Sequence, residues 1–235
     1  AADHGPEEEI AVADGFLYPS GRHAGEHHAE GHEAGADAVF PVKAEEERVC
    51  VKIPFPDDYP EYEKGFNSHA RNNLHRAYKK VRSNELDMSL QVIQGPFTDK
   101  ALLSDAMKIY TKRESERKNR RIDFIPYIKH RYFSALLWAM ETLASHYTFC
   151  FFLNNKLVAF MTGFVTNYNE IVFPYLAIDS TFASYAPGKL MIAESIKYLQ
   201  EHSAIRVLDL SRGDEKYKFE MGGIRHYNYR FEIEL

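Results

Sequence analysis

The chain has 235 residues and a mass of 27.2 kDa, enough for one large domain or two small ones. It is 45% hydrophobic and 27% charged, which excludes a wholly disordered chain, a coiled coil and a collagen. Its formal charge of −5 argues against a generally basic nucleic-acid binder, so DNA is not an expected partner, while a local basic patch is still allowed. Aromatic residues make up 14% of the chain, with 15 Tyr and 16 Phe, so a sizeable core with aromatic walls is within reach.

Two cysteines, Cys50 and Cys150, are too few for a disulfide framework or a four-cysteine zinc site. Cys150 lies in the apolar run Phe149-Cys150-Phe151-Phe152 and reads as a buried structural thiol. No apolar stretch approaches the ~20 residues needed to span a bilayer. No signal peptide is visible at the start, and a cytoplasmic protein is expected.

Residues 1–48 differ from the rest. GRHAGEHHAEGHEAGADA has no apolar period and reads as a flexible or loosely ordered segment. His23 and His27, like His28 and His32, are spaced to share a helical face and hold a metal. The glycines among them argue instead for a solvated linker, and no metal is expected.

The folded domain is expected over 49–235. VCVKIPF reads as a strand, and Glu61 to Asn84 as one helix with Arg71, Arg76, Lys79, Lys80 and Arg82 on its polar face. Leu86 to Ile93 alternates as a half-buried strand. Thr98 is placed to cap a helix on which Leu102, Ala106, Ile109 and Arg113 share a face. Pro126 opens a further helix. YTFCFFL and KLVAFMTGFVT flank Asn154-Asn155, which predicts a hairpin. EIVFPYLAID is a strand, Lys189 to His202 a helix, IRVLDL a buried strand, DEKYKFEM a short helix and RHYNYRFEIEL a closing strand. Pro174, inside its strand, marks an edge or a bulge. The order implies a mixed α/β or α+β sheet with helices on its faces.

Several signatures are missing. There is no G-x-G-x-x-G after a strand, no complete phosphate loop around Gly188-Lys189, no H-E-x-x-H and no G-x-S-x-G. The informative stretch is 171–219. A strand leads through Tyr185-Ala186-Pro187-Gly188-Lys189 into an amphipathic helix, whose first N–H groups suit an anion. Asp209, in the apolar strand IRVLDL, is costly to bury without a partner, and serves either as a general base or as an anchor for Lys218 or the Arg212 loop.

These residues resemble a family. Y-A-P-G-K-L, a helix, and then L-D-L-S-R-G-D-E-K-Y-K-F look like the FemAB-related and CelD-like branch of the GNAT acyltransferase superfamily, a group tied to polysaccharide biosynthesis. The strand-borne D-x-x-x-G-x-x-x-Y-K falls on Asp209, Gly213, Tyr217 and Lys218, and HARNNLHRAYKKV resembles the family's first block. The likeness covers about 50–235. Two departures stand out: the glycine-rich acyl-CoA loop is reduced to Gly188, and no preceding half of a double-domain enzyme is recognisable in residues 1–48.

The resemblance implies a GNAT-like, mostly antiparallel central sheet flanked by helices. It also implies an N- or O-acyltransferase using acetyl-CoA or another acyl-CoA. The donor's pantetheine would pair with the backbone of Leu176, Ala177 and Ile178, with an oxyanion N–H near Ala177. Its pyrophosphate would sit over Tyr185, Ala186, Pro187, Gly188, Lys189 and Leu190. Tyr217 is the expected acid for the leaving group. Lys218 is a candidate for an anionic substrate group or the acyl carbonyl, and Arg71, Asn72, Arg76 and Arg212 are candidates for the acceptor, a small molecule, sugar or envelope precursor. Two other readings remain. One is an aminoacyl-tRNA-dependent transferase, in which Lys112, Arg113, Arg117, Lys118, Arg120 and Arg121 meet RNA phosphates. The other is a non-catalytic binding module of the same fold.

Overall fold

A computed structural model describes residues 42–95, 99–118, 145–166 and 169–233. The histidine-rich segment, Thr98 and the helix expected from Pro126 lie outside the described residues. The first strand, β1 (Val42–Pro54), begins seven residues ahead of the expected Val49.

The single helix expected over Glu61 to Asn84 is two helices, α1 (Tyr59–Lys64) and α2 (Ser68–Ser83). Gly65 ends the first, and Asn67 starts the second by accepting the Ala70 N–H on its side chain at 2.8 Å. The apolar period runs on through the break, which is why periodicity alone misses it. The chain continues through β2 (Met88–Gln94) and α3 (Lys100–Lys118) to the hairpin β3 (His146–Leu153) and β4 (Lys156–Val165). Asn154 and Asn155 turn that hairpin with φ of 48° and 59°, the doubly positive turn the dipeptide predicts. Then come β5 (Glu170–Ile178), a 3-10 turn at Ser180–Tyr185, α4 (Pro187–His202), β6 (Val207–Arg212), α5 (Lys216–Glu220) and β7 (Ile224–Ile233).

The seven strands form one sheet in the order β2-β3-β4-β5-β6-β1-β7, antiparallel except for β5 beside β6. One face packs on α2 and α4, where Leu74, Val81, Leu190, Ile196 and Leu199 meet Ile171, Phe173 and Leu208. The other face meets α3 through Leu102, Ala106 and Ile109 over Cys150, Phe160 and Ala177. Cys50 and Cys150 are both buried free thiols, and burial pushes Cys150 up to about 12.

The sheet is pulled apart at one place. β5 and β6 pair only from Glu170 to Val172 against Val207 to Asp209. Just beyond, both strands carry an extra residue. On β5, Phe173 and Pro174 stand opposite Gly163, between the Thr162–Tyr175 and Phe164–Val172 pairs. On β6, Leu210 and Ser211 stand opposite Val51, between the Cys50–Arg212 and Lys52–Asp209 pairs, and Ser211 takes a φ of 54°. Each extra residue bends its strand and breaks its ladder, so the two parallel strands diverge. Pro174 has no N–H to give, which suits it to the bulge. Gly163 is required opposite it, because a Cβ there would lie 1.9 Å from the Val172 carbonyl oxygen. Gly163→Ala is expected to lower stability by about 3 kcal/mol in urea denaturation. A loss under 0.5 kcal/mol would show that the bulge relaxes freely.

Candidate functional site

The divergence leaves a cavity of about 640 Å³ between β5 and β6, within the size range of small-molecule sites. Phe173, Pro174, Tyr175 and Leu176 line one side; Leu210, Ser211, Arg212 and Gly213 line the other. Tyr217 stands at its wall, and Tyr110, Arg113 and Glu114 of α3 cover it.

The ladder decides which backbone groups reach this cleft. Asp179 N–H donates to the Val158 carbonyl at 2.8 Å, and the register pairs Ile178 with Ala159 and Ala177 with Phe160. Hydrogen-bonded and open pairs alternate along an antiparallel ladder, so Ala177 spends its N–H on β4, and Leu176 and Ile178 turn theirs toward the open side. Of the backbone N–H groups expected near Ala177 to serve a donor, those of Leu176 and Ile178 are the ones that face the open side. Arg113 confirms the direction, since its guanidinium donates to the Leu176 carbonyl. An arginine on the apolar stripe of Leu102, Ala106 and Ile109 was the sequence signal for this inward role.

The helix start is less open than expected. Ala186 takes a left-handed φ of 50° and gives its N–H to the Ala183 carbonyl at 3.0 Å. Lys189 and Leu190 both donate to the Ala186 carbonyl, at 3.0 and 3.2 Å. Pro187 has no N–H. Of the expected cradle, Gly188 alone has no internal acceptor for its N–H among the described residues. A Cβ on Gly188 would come within 3.3 Å of Ile178, so the helix start packs directly on the end of β5. The Lys189 ammonium is tied to Glu220 on α5, and the Tyr185 ring stacks under Lys80 at 4.8 Å.

Tyr217 remains a candidate acid. Burial pushes its phenol up to about 12, with Glu215 adding to the effect and Arg113 opposing it. It stays protonated at every physiological pH.

Lys218 has a different task from the expected one. Its side chain is 3% exposed, and its ammonium donates to the carbonyls of Leu210, Ser211, Arg212 and Gly213 at 2.8 to 3.3 Å. Glu215 lies 3.1 Å away. Three N–H donors facing five acceptors leave none for a substrate. Lys218 clamps the loop that follows β6. Gly213, at a φ of +99°, completes the clamp, because a Cβ there would strike the Glu215 carboxylate at 2.5 Å.

Asp209 anchors the same loop. Its Oδ1 accepts the N–H of the cavity-lining Ser211 at 2.7 Å, while Asp209 itself does not line the cavity. Its other partner is His226 on β7, with Nε2 3.1 Å from Oδ2 but without hydrogen-bond alignment. Nothing in the linear pattern singled out His226 beyond the need of a buried carboxylate for a partner. Glu170, next along β5, is held above the usual carboxylate range by its own burial and by the Asp209 charge.

The expected acceptor residues on α2 are not brought to the cavity. Arg71 donates to the carbonyls of Glu63, Lys64 and Phe66 at 3.0 to 3.2 Å and so holds the end of α1. Asn72 and Arg76 are exposed on the helix that covers the opposite face of the sheet. Arg212 does line the cavity. In the basic run of α3, Lys112 pairs with buried Asp179 at 2.8 Å and Arg113 enters the cleft. The side chains of Arg117 and Lys118, and all of Arg120 and Arg121, lie outside the described residues.

Among the described residues no group of three or more His, Cys, Asp or Glu is placed to hold a metal ion. No described helix is long and apolar enough to cross a membrane.

The family model for an acetyltransferase (GNAT) domain matches residues 68–219, well over half of the chain. The chain belongs to this GNAT family. The GNAT match takes in the β5 and β6 walls of the cleft, the helix start and the Tyr217-Lys218 motif, but not the lining residues on β1 and β7. No curated protein sequence matches significantly. Among solved structures, a conserved protein of unknown function from Bacteroides thetaiotaomicron superposes with a TM-score of 0.53 at 11% identity, over 80% of this chain and 62% of that one. A C-terminal domain from Agrobacterium fabrum, named for lysylphosphatidylglycerol synthetase, gives 0.50 at 10% identity, over 79% and 60%. FemX gives 0.48 at 12% identity, over 76% and 59%. The GNAT chain thus spans about three fifths of the length of these neighbours.

Proposed function

We propose that the chain transfers an acyl group from an activated donor, lodged between β5 and β6, to an amine or hydroxyl acceptor. The observation that carries this is the opening of the sheet itself. Two facing bulges expose the Leu176 amide to a cavity that also holds a protonated tyrosine, with the Ile178 N–H further along the same open edge of β5. In this reading an amide-bearing donor pairs with the free edge of β5. The acceptor attacks the donor's carbonyl carbon and gives up its proton to solvent, the Leu176 or Ile178 N–H bears the developing oxyanion, a contribution of about 3 kcal/mol, and the bond from that carbon to the donor's leaving group breaks. Tyr217 faces the leaving group, and Lys218 with Asp209 acts through the loop they hold in place.

Acyl-CoA is the first donor to test, with its pyrophosphate at the Gly188 N–H. Calorimetric titration with acetyl-CoA and longer acyl-CoAs is the measurement, alongside Gly188→Asp. An aspartate in the first helical turn favours the helix while repelling phosphate, and its Cβ needs only the Ile178 methyl, 3.3 Å away, to yield by a few tenths of an ångström, so the variant should remain folded. Acyl-CoA binding that weakens at least tenfold in Gly188→Asp supports the reading. No binding by the unmodified chain removes acyl-CoA as donor.

A second reading is favoured by the state of the helix start. With the N–H groups of Ala186, Lys189 and Leu190 already bonded, little remains for a pyrophosphate. An acyl or aminoacyl ester, with an alcohol as leaving group, needs no such cradle. Hydrolysis or transfer from an aminoacyl-ester donor, absent with acyl-CoA, would establish it.

A further inference from the structure

We propose that the mouth of the cleft, where Arg48, Arg212 and Arg230 converge on Glu46, binds a phosphate group of the acceptor, with Glu46 holding the place until it arrives. This deepens the acyl-transfer reading of the same cleft and rests on it for the word acceptor.

The argument is one of charge. The chain as a whole carries −5, yet the cavity is lined by Arg48, Arg113, Arg212, Lys218 and Arg230 against only Glu114 and Glu215. Two of these cations are committed inside. Lys218 is saturated by its loop and Glu215, and Arg113 donates to Leu176. The other three stand on β1, β6 and β7, whose pairing brings Cys50 beside Arg212 and Arg48 beside Asn228. Among the described residues they have one carboxylate between them. Arg48 Nη2 is 2.5 Å from Glu46 Oε2, and Arg230 Nη1 is 4.0 Å from the same oxygen. Arg212 has no carboxylate within 4.0 Å among the described residues. The three guanidinium groups together hold the Glu46 carboxyl below the usual carboxylate range, the Arg48 hydrogen bond first. Arg48 Nε is buried and has no partner.

Three positive charges facing one carboxylate leave about two in excess at a cavity mouth. A phosphate dianion matches that excess, and guanidinium forks match its oxygens two at a time. The Glu46 side chain is 57% exposed, so it is held by charge and not by packing, and a doubly charged ligand can displace it. The donor end of the cleft, at Leu176 and Gly188, lies on other elements, so this anion site falls to the second substrate.

The test is calorimetric titration with inorganic pyrophosphate and inorganic phosphate at fixed ionic strength, compared with malonate as a dicarboxylate. One saturable site per chain is expected. Arg48→Gln and Arg212→Gln should each weaken pyrophosphate about tenfold, the loss of a charge-assisted contact. Glu46→Gln, which removes the internal competitor, should tighten it several-fold. Arg206→Gln, at a guanidinium paired with Asp57 and absent from the cavity lining, should change nothing. Glu46→Gln is the variant that separates a site from general attraction, because both lose when arginine is removed but only a site with Glu46 in it gains specifically there. Unsaturable binding, equal binding of malonate, or Glu46→Gln that leaves affinity unchanged would overturn the proposal. A chain that binds an acyl donor but not pyrophosphate would sink this site alone. One that binds pyrophosphate but no acyl donor keeps the site and sinks the transfer reading.

Discussion

Replacing Tyr217 by phenylalanine is expected to cut turnover by about a hundredfold to a thousandfold while donor affinity stays within twofold. The phenol lies in the cavity wall, it hydrogen-bonds to no group among the described residues, and burial holds it near 12. That value shapes what it can do. A departing thiolate, with an ordinary thiol pKa near 8.5, is less basic than the phenolate by roughly 3.5 pH units, so complete proton transfer is uphill by about 5 kcal/mol. With a thioester, Tyr217 therefore works by donating a hydrogen bond to the leaving sulfur. An alkoxide is more basic than the phenolate, and with an ester donor the proton moves fully. The same variant separates the two donor classes: the larger defect should appear with the ester. A rate within threefold of the unmodified chain for both donors would remove Tyr217 from the mechanism and leave it a wall residue.

Lys218→Met carries the largest expected effect on stability, a loss of about 4 kcal/mol. Methionine fills much of the volume but leaves the carbonyls of Leu210, Ser211, Arg212 and Gly213 without their donor. Buried polar groups that lose a charged partner carry their full desolvation penalty. Against a typical total of 5–15 kcal/mol, the change moves the urea midpoint far. The readout that separates a clamp from a substrate-binding lysine is amide hydrogen exchange. A clamp predicts lost protection across 210–213 together with lower stability. A lysine reserved for substrate predicts unchanged exchange and unchanged stability, with only KM or kcat affected, and that result would restore the role first expected from the motif.

The motif D-x-x-x-G-x-x-x-Y-K was visible in the sequence, but its division of labour was not. Gly213, Tyr217 and Lys218 all line the cavity, but Asp209 and Lys218 spend their charges on one loop that Gly213 completes. Spacing shows that these residues act near one another. It does not show whether an ammonium points at a ligand or at four carbonyls of its own chain. Arg71 was misjudged for the same reason, since a cation on a polar helix face gives no sign of capping the helix before it.

By itself the sequence determined the strands apart from the first seven residues of β1, most helices, the Asn154-Asn155 turn, and an edge or bulge at Pro174. These follow from local physics: hydrophobic period, the φ preferences of asparagine, and the missing N–H of proline. Only the tertiary structure decided that β5 and β6 part company, because that needs a bulge on each of two strands separated in sequence by a helix. It alone turned Arg113 onto the Leu176 carbonyl and closed most of the helix start. It alone gathered Arg48, Arg212 and Arg230 from three strands around Glu46. Such contacts depend on sheet order, which pairs the first strand of the domain with its last two. A linear pattern of charges carries no record of that pairing, so the chemistry of the cleft mouth emerges only when the sheet is assembled.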